Sequence, residues 1–171
     1  MKCFDKYRYN NYYLPVGRKL RREIRQKKPF ASPEEELFLE IQRTADVLMQ
    51  SLERLLKPTG LTQTQYNVLR ILRGAGAGGL LCREVGQRMV THDPDVTRLL
   101  DRLERQRLVA RGRERRDRRV VRVRITESGM NLLGSLDLPV TDLHHRQLGP
   151  MGRQRIRRIM DFVEEMRRGP V

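Results

Sequence analysis

From Arg111 to Arg124 the chain places eight arginines within fourteen residues: Arg111, Arg113, Arg115, Arg116, Arg118, Arg119, Arg122 and Arg124. Only Glu114 and Asp117 oppose them. Guanidiniums at that density repel one another unless a polyanion lies beside them. Their planar fork is shaped for phosphate oxygens and for the O6 and N7 edge of guanine. Just upstream lies Asp95-Val96-Thr97-Arg98-Leu99-Leu100-Asp101-Arg102-Leu103-Glu104-Arg105. Wound at ~100° per residue, Val96, Leu99, Leu100 and Leu103 form one narrow stripe that must face a core. Arg98, Asp101 and Arg105 then point away from it, with Asp95, Thr97 and Arg102 at the flanks. Such a helix suits a DNA major groove, where Arg98 can grip a guanine and Thr97 can meet a phosphate or a thymine methyl. A charged surface helix with i,i+4 pairs such as Asp101–Arg105 is the plainer reading. The arginine-rich turn that follows, bracketed by strand patterns, weighs against it. A basic hairpin tip fits the narrow, electronegative minor groove. Candidate DNA contacts are therefore Asp95, Thr97, Arg98 and Arg102 on the helix, and Arg113, Arg115, Arg116 and Arg118 in the turn.

Other chemistries find little support. The three histidines, His92, His144 and His145, lack metal-ligand spacing with cysteine or carboxylate. Asp142 and His145 share a helix face, which reads as a solvated surface. No Gly-x-Ser-x-Gly nucleophile turn occurs. The glycine-rich run Gly74–Gly79 lacks the Lys-Ser/Thr ending of a phosphate-binding loop and reads as a plain linker. No enzyme activity, metal or cofactor is expected. Two cysteines, Cys3 and Cys82, make no disulfide framework. Cys3, beside Lys2 and Lys6, is the more plausible reactive thiol. Cys82 is expected to open a helix and pack as a small apolar residue.

Composition agrees. Thirty-six Lys and Arg against 21 Asp and Glu give a net charge of +15, and Arg far outnumbers Lys. There is no Trp and no apolar run near ~18 residues, so no membrane span is expected. Lys2, Asp5, Lys6 and Arg8 break up any leading apolar stretch, which argues against a signal peptide. With the sparse cysteines, this points to the cytoplasm.

Those residues need a scaffold. Residues 1–31 read as a basic arm with Tyr7, Tyr9, Tyr12 and Tyr13, and a basic helix within 16–28. Ser32-Pro33-Glu34-Glu35 is a capping box with Pro at the first helical position. A long amphipathic helix follows through Leu37, Ile41, Ala45, Leu48, Leu52 and Leu55, ended by Pro58 and Gly60. A second box, Thr62 with Gln65, opens a helix whose apolar face is Tyr66, Leu69 and Leu72. A short helix from Arg83 to about Met89 turns Val85 and Met89 inward. Leu108–Arg111 and Val121–Ile125 read as strands, the second with period-two alternation. Thr126 caps a helix running toward Pro139, and a last helix covers about 151–168. Helix, helix, loop, helix, strand, charged turn, strand, helix is the order of a winged helix-turn-helix. The fold class expected is mainly α, with a two-stranded β wing and a DNA-binding lobe at 58–126. A dimerisation helix at 32–57 and C-terminal dimerisation helices at 127–171 complete it. These end helices carry more apolar residues than one small wing domain can cover, so a homodimer is expected.

Several segments resemble the MarR family of bacterial regulators. They are Gly60-Leu61-Thr62-Gln63-Thr64-Gln65-Tyr66-Asn67-Val68-Leu69, then Val96–Glu104 with Leu108-Val109-Ala110-Arg111, and Asp117-Arg118-Arg119 leading into Ile125-Thr126-Glu127-Ser128-Gly129. The resemblance covers roughly 34–168. It implies a dimer through the N- and C-terminal helices and release from DNA by small ligands or oxidation. It also implies wing roles for Asp117, which would pair with an Arg, and Arg119, which would enter the minor groove. Effectors would sit near Tyr66, where a small aromatic or amphipathic anion fits an apolar cleft with one hydroxyl. A core role for Tyr66 is the alternative. Arg107 departs from the pattern, standing where the family usually has Gly. The expected function is a sequence-specific double-stranded-DNA-binding regulator, a repressor in this reading. The alternative is an architectural or RNA-binding winged helix that reads sequence little.

Overall fold

The computed structural model describes residues 18–91, 95–113 and 120–169. The elements run α1 (Arg18–Glu23), α2 (Pro33–Leu56), α3 (Gln63–Ala75), β1 (Leu80–Leu81), α4 (Cys82–Arg88), α5 (Val96–Arg105), β2 (Val109–Arg113), β3 (Val121–Ile125), α6 (Glu127–Leu148) and α7 (Arg153–Arg168). Two compact units meet within α2, the first ending at Val47 and the second beginning at Leu48.

In the first unit, the backbone N–H of Glu35 reaches Ser32 Oγ at 3.2 Å. The Glu35 carboxylate turns back to the N–H of Ala31, one residue before the cap. Glu34, Glu35 and Glu36 crowd the first turn of α2, where the helix dipole favours negative charge. Leu37, Phe38 and Ile41 follow and remain exposed. The expected basic helix is shorter than 16–28, six residues of α1, and turns off at Arg25 with φ 53°.

The second unit is organised around one apolar core. The Thr62–Gln65 box is complete, with Gln65 N–H to Thr62 Oγ1 at 3.2 Å and Thr62 N–H to Gln65 Oε1 at 2.9 Å. It starts α3 in the phase that buries Tyr66, Val68, Leu69 and Leu72. These side chains pack with Val85 of α4, Leu99, Leu100 and Leu103 of α5, Val123 of β3, and Leu133, Leu136 and Val140 of α6. The sheet is antiparallel in the order β1-β3-β2, with Val109 opposite Ile125 and Arg113 opposite Val121. The β2–β3 pair is the wing expected from sequence. A two-residue strand adds to it, Leu80 lying opposite Val123.

The glycine-rich run is more than a linker. Its end must pass so close to β3 that a Cβ on Gly79, at φ 64°, would lie 2.5 Å from the Val123 carbonyl oxygen. Only glycine satisfies both the positive φ and that approach. A further difference lies in α6, which continues through Pro139 to Leu148. Proline there frees the Ser135 carbonyl, but Ser135 is exposed, so water can satisfy it. Leu133, Leu136 and Val140, buried on both sides of the proline, hold the helix together.

Candidate nucleic-acid interface

The centre of the site is α5. Asp95 caps it, its carboxylate accepting the Arg98 backbone N–H at 3.1 Å. The other carboxylate oxygen lies 3.0 Å from Arg98 Nε. One acid thus fixes both the start of the helix and the stem of its outward arginine, whose side chain is 81% exposed. Thr97 and Arg102 are exposed beside it, while Leu99, Leu100 and Leu103 are buried behind. Val96 is half-buried against the core. Thr97 Oγ1 is 3.8 Å from Cys82 Sγ. Cys82 is the first residue of α4 and packs partly against the core, as the sequence suggests.

The end of α5 is decided by Arg107. With φ 60° it takes the left-handed position that glycine usually fills. Its N–H reaches the Glu104 carbonyl at 2.8 Å, and the Leu108 N–H reaches the Leu103 carbonyl at 3.0 Å. Thr126 Oγ1 donates to the Arg107 carbonyl at 2.7 Å, tying this turn to the start of α6. The helix-ending motif forms as it would with glycine, and an arginine bears the strain.

The eight arginines divide into two sets. Arg111 Nη1 bonds both the Asp101 carboxylate and, at 3.0 Å, Glu104 Oε2. Its Nη2 donates to the Thr97 carbonyl at 3.3 Å, and its backbone N–H to Glu104 Oε1 at 3.1 Å. Partial burial opposes the Arg111 charge, but the two carboxylates outweigh that and raise its pKa. Asp101, read from helical winding as pointing away, is instead half-buried and turned toward β2. Arg124 Nε donates to the Ala77 carbonyl at 2.8 Å, and Arg122 approaches Glu84 at 4.0 Å. Arg111, Arg122 and Arg124 therefore brace the wing against the rest of the lobe. Arg113 ends β2 exposed. Arg115, Arg116, Asp117, Arg118 and Arg119 lie outside the described residues, as do His92 and Cys3.

Helical winding missed the Arg111 cluster because it treats α5 in isolation. The available signal was that Asp101 and Glu104 are the only acids from 96 to 113. It also missed Asn67, whose side-chain oxygen accepts the Val90 N–H at 3.2 Å and ties α3 to the turn after α4. Arg83 and Arg88, exposed on α4, add cations to the helix preceding α5. Asp142, His144 and His145 are exposed on α6.

Tyr66 is 6% exposed and belongs to the core cluster. Burial raises its hydroxyl pKa, against the pull of Arg70, whose guanidinium lies 5.8 Å from the ring centre. An open cavity of about 710 Å³ is lined by Gln50, Glu53, Arg54, Lys57, Leu61 and Thr64 among others. Tyr66 does not line it.

With this geometry in view, known proteins place the chain. Residues 59–120 match the sequence profile described as MarR family. A crystal structure of a MarR transcription factor from Planctomyces limnophilus is 35% identical, covering 80% of this chain and 98% of its own, with a TM-score of 0.61. The chain belongs to the MarR family. The HTH-type transcriptional repressor MdtR of Bacillus subtilis is 31% identical over 99 residues, 56% of this chain. That match spans 63% of the repressor, less than two thirds of its length. The S. aureus MepR–DNA complex, 19% identical with a TM-score of 0.67, shares the fold over 74% of this chain and 92% of its own. The MarR family and these relatives are transcription regulators, not enzymes. Among the described residues of this MarR-family chain, no helix is long and apolar enough to cross a membrane.

Proposed function

We propose that this MarR-family regulator is a homodimeric repressor that binds double-stranded DNA and reads its sequence with α5 and the wing. The observation that carries this is the division of α5. Its inner side is buried, and its outer side offers Thr97, Arg98 and Arg102 to solvent with Arg98 aligned by Asp95. A base-reading arginine discriminates through its fork, whereas a phosphate-binding arginine displaces counterions from any duplex. Arg98→Ala is expected to cost ~1–3 kcal/mol on the operator and to relax preference at one base pair per half-site. Titration on operator and scrambled duplex decides it. Equal losses on both would remove α5 as the reader and favour an architectural role; tighter binding to RNA duplex would point to RNA. In this reading Arg113, Arg115, Arg116 and Arg118 bind phosphates, Asp117 steadies the wing, and Arg119 enters the minor groove.

The dimer reading rests on the exposed apolar residues of α2 and α7, among them Leu37, Phe38, Met160 and Phe162. Two α5 helices about 34 Å apart would then meet successive turns of one DNA face. A small aromatic or amphipathic anion completes the proposal as effector, with Tyr66 supplying the hydroxyl. Its raised pKa keeps that hydroxyl a donor at neutral pH, with the Arg70 cation near the ring. Phenolic acids are expected to shift the melting temperature and release DNA, and to lose both effects in Tyr66→Phe. A flat response across such a panel would reject an effector of this class.

A further inference from the structure

Helix α7 is sixteen residues long and buries none of them. Ile156 alone is half-buried; Ile159, Met160, Phe162, Val163 and Met166 are 41–62% exposed. A helix this short draws its stability in water from an apolar face that something covers. Wound at ~100° per residue, Ile156, Ile159, Met160, Val163 and Met166 occupy an arc of about 120°. Along one border of that arc lie Arg153, Arg157 and Glu164. The first six residues of α7 include four arginines and no acid, at the helix end where the dipole disfavours cations. None of Arg153, Arg155, Arg157 and Arg158 makes a hydrogen bond or ion pair among the described residues. Glu164 lies in the second half and bonds only the exposed Arg168.

This pattern is complementary to itself when reversed. We propose that α7 pairs antiparallel with α7 of a second copy, about a two-fold axis passing between Ile159 and Met160. The axis sets Ile156 against Val163 and Ile159 against Met160 of the other copy. In an antiparallel two-fold pair each border of the stripe meets the same border of its mate. Glu164 of the second copy therefore falls between Arg153 and Arg157, and the reciprocal contact repeats it. The basic first turn thus gains the counter-charge that its own helix withholds. A parallel pairing would instead stack arginine on arginine. The inference deepens the dimer reading above and rests on it, naming the seam and its register.

Single cysteines placed on a background of Cys3→Ser and Cys82→Ser test it by oxidative cross-linking of the full chain. Met160→Cys, next to the axis, is expected to give the dominant covalent dimer. Ile156→Cys and Met166→Cys are separated from their own copies by roughly 10 and 20 Å along the axis and should give little. Charge reversal supplies an independent arm. Glu164→Arg should weaken the dimer roughly tenfold, since reversal acts at two symmetric contacts. Arg153→Glu with Arg157→Glu should weaken it similarly, and mixing the two variant chains should restore a one-to-one heterodimer. Because α7 buries no residue, these changes leave the core packing untouched. Equal cross-linking at all three positions, or variants that fail to associate when mixed, would overturn the α7 seam in a protein that still sediments as a dimer. Sedimentation of the unmodified chain as a monomer at micromolar concentration would instead overturn the dimer reading itself.

Discussion

Arg107 occupies a backbone conformation that costs an L-residue roughly 1–2 kcal/mol. Its φ of 60° is held by hydrogen bonds before, at and after it, so the strain cannot relax. Arg107→Gly is expected to stabilise the fold by about 0.5–1 kcal/mol, the strain relieved less the extra chain entropy of glycine. Urea unfolding reads this directly, and an unchanged or lower midpoint would contradict it. The departure from the family's glycine was visible in sequence, as was the possibility of strain, but not which residue would bear it. Asp101 shows the opposite limit. Helical winding turns it outward, and it would have stayed there had β2 not brought Arg111 alongside. A residue's angle on its own helix says nothing about what a later strand carries past it.

Between elements, Arg73 of α3 grips Asp137 of α6 with two bonds, 2.8 and 2.9 Å long. The Arg73 guanidinium holds the Asp137 carboxyl below its usual value. A carboxylate lowered on folding stabilises fully above its unfolded pKa of ~3.9 and loses that contribution as pH falls through the folded value. Asp137 is nearly half open to water, so the pair contributes about 0.5–1 kcal/mol. Asp137→Asn is expected to lose that much at pH 7 and to flatten the stability profile below pH 4. Parallel profiles for the two proteins would show the pair to be energetically silent. Most elements were legible because their signals are local: Ser32, Thr62, Asp95 and Thr126 each cap a helix within a few residues. β1 was not, because two residues become a strand only through the partner that β3 supplies. Nor was the passage of α6 through Pro139, where buried neighbours outweigh one missing backbone bond.

For the molecule as a whole, the formal charge of +15 makes any polyanion a partner at low salt. Affinity should therefore fall steeply with added salt, and Arg113→Ala should lower the slope of log affinity against log salt by about one unit on every duplex alike. A slope unchanged by that substitution would remove Arg113 from the phosphate contacts. Charge and the arginine count were legible from composition; their division into braces and free cations was not, since it depends on where carboxylates and carbonyls lie in space. That division has a consequence for how operators could change over time. Arg111 fastens β2 to Asp101, Glu104 and Thr97 of α5, so helix and hairpin move as one lever. Substitutions on either element would then tilt the other, and their effects on sequence preference would not simply add. A regulator built this way drifts toward a new binding site in correlated steps, with changes on helix and wing accepted together or not at all.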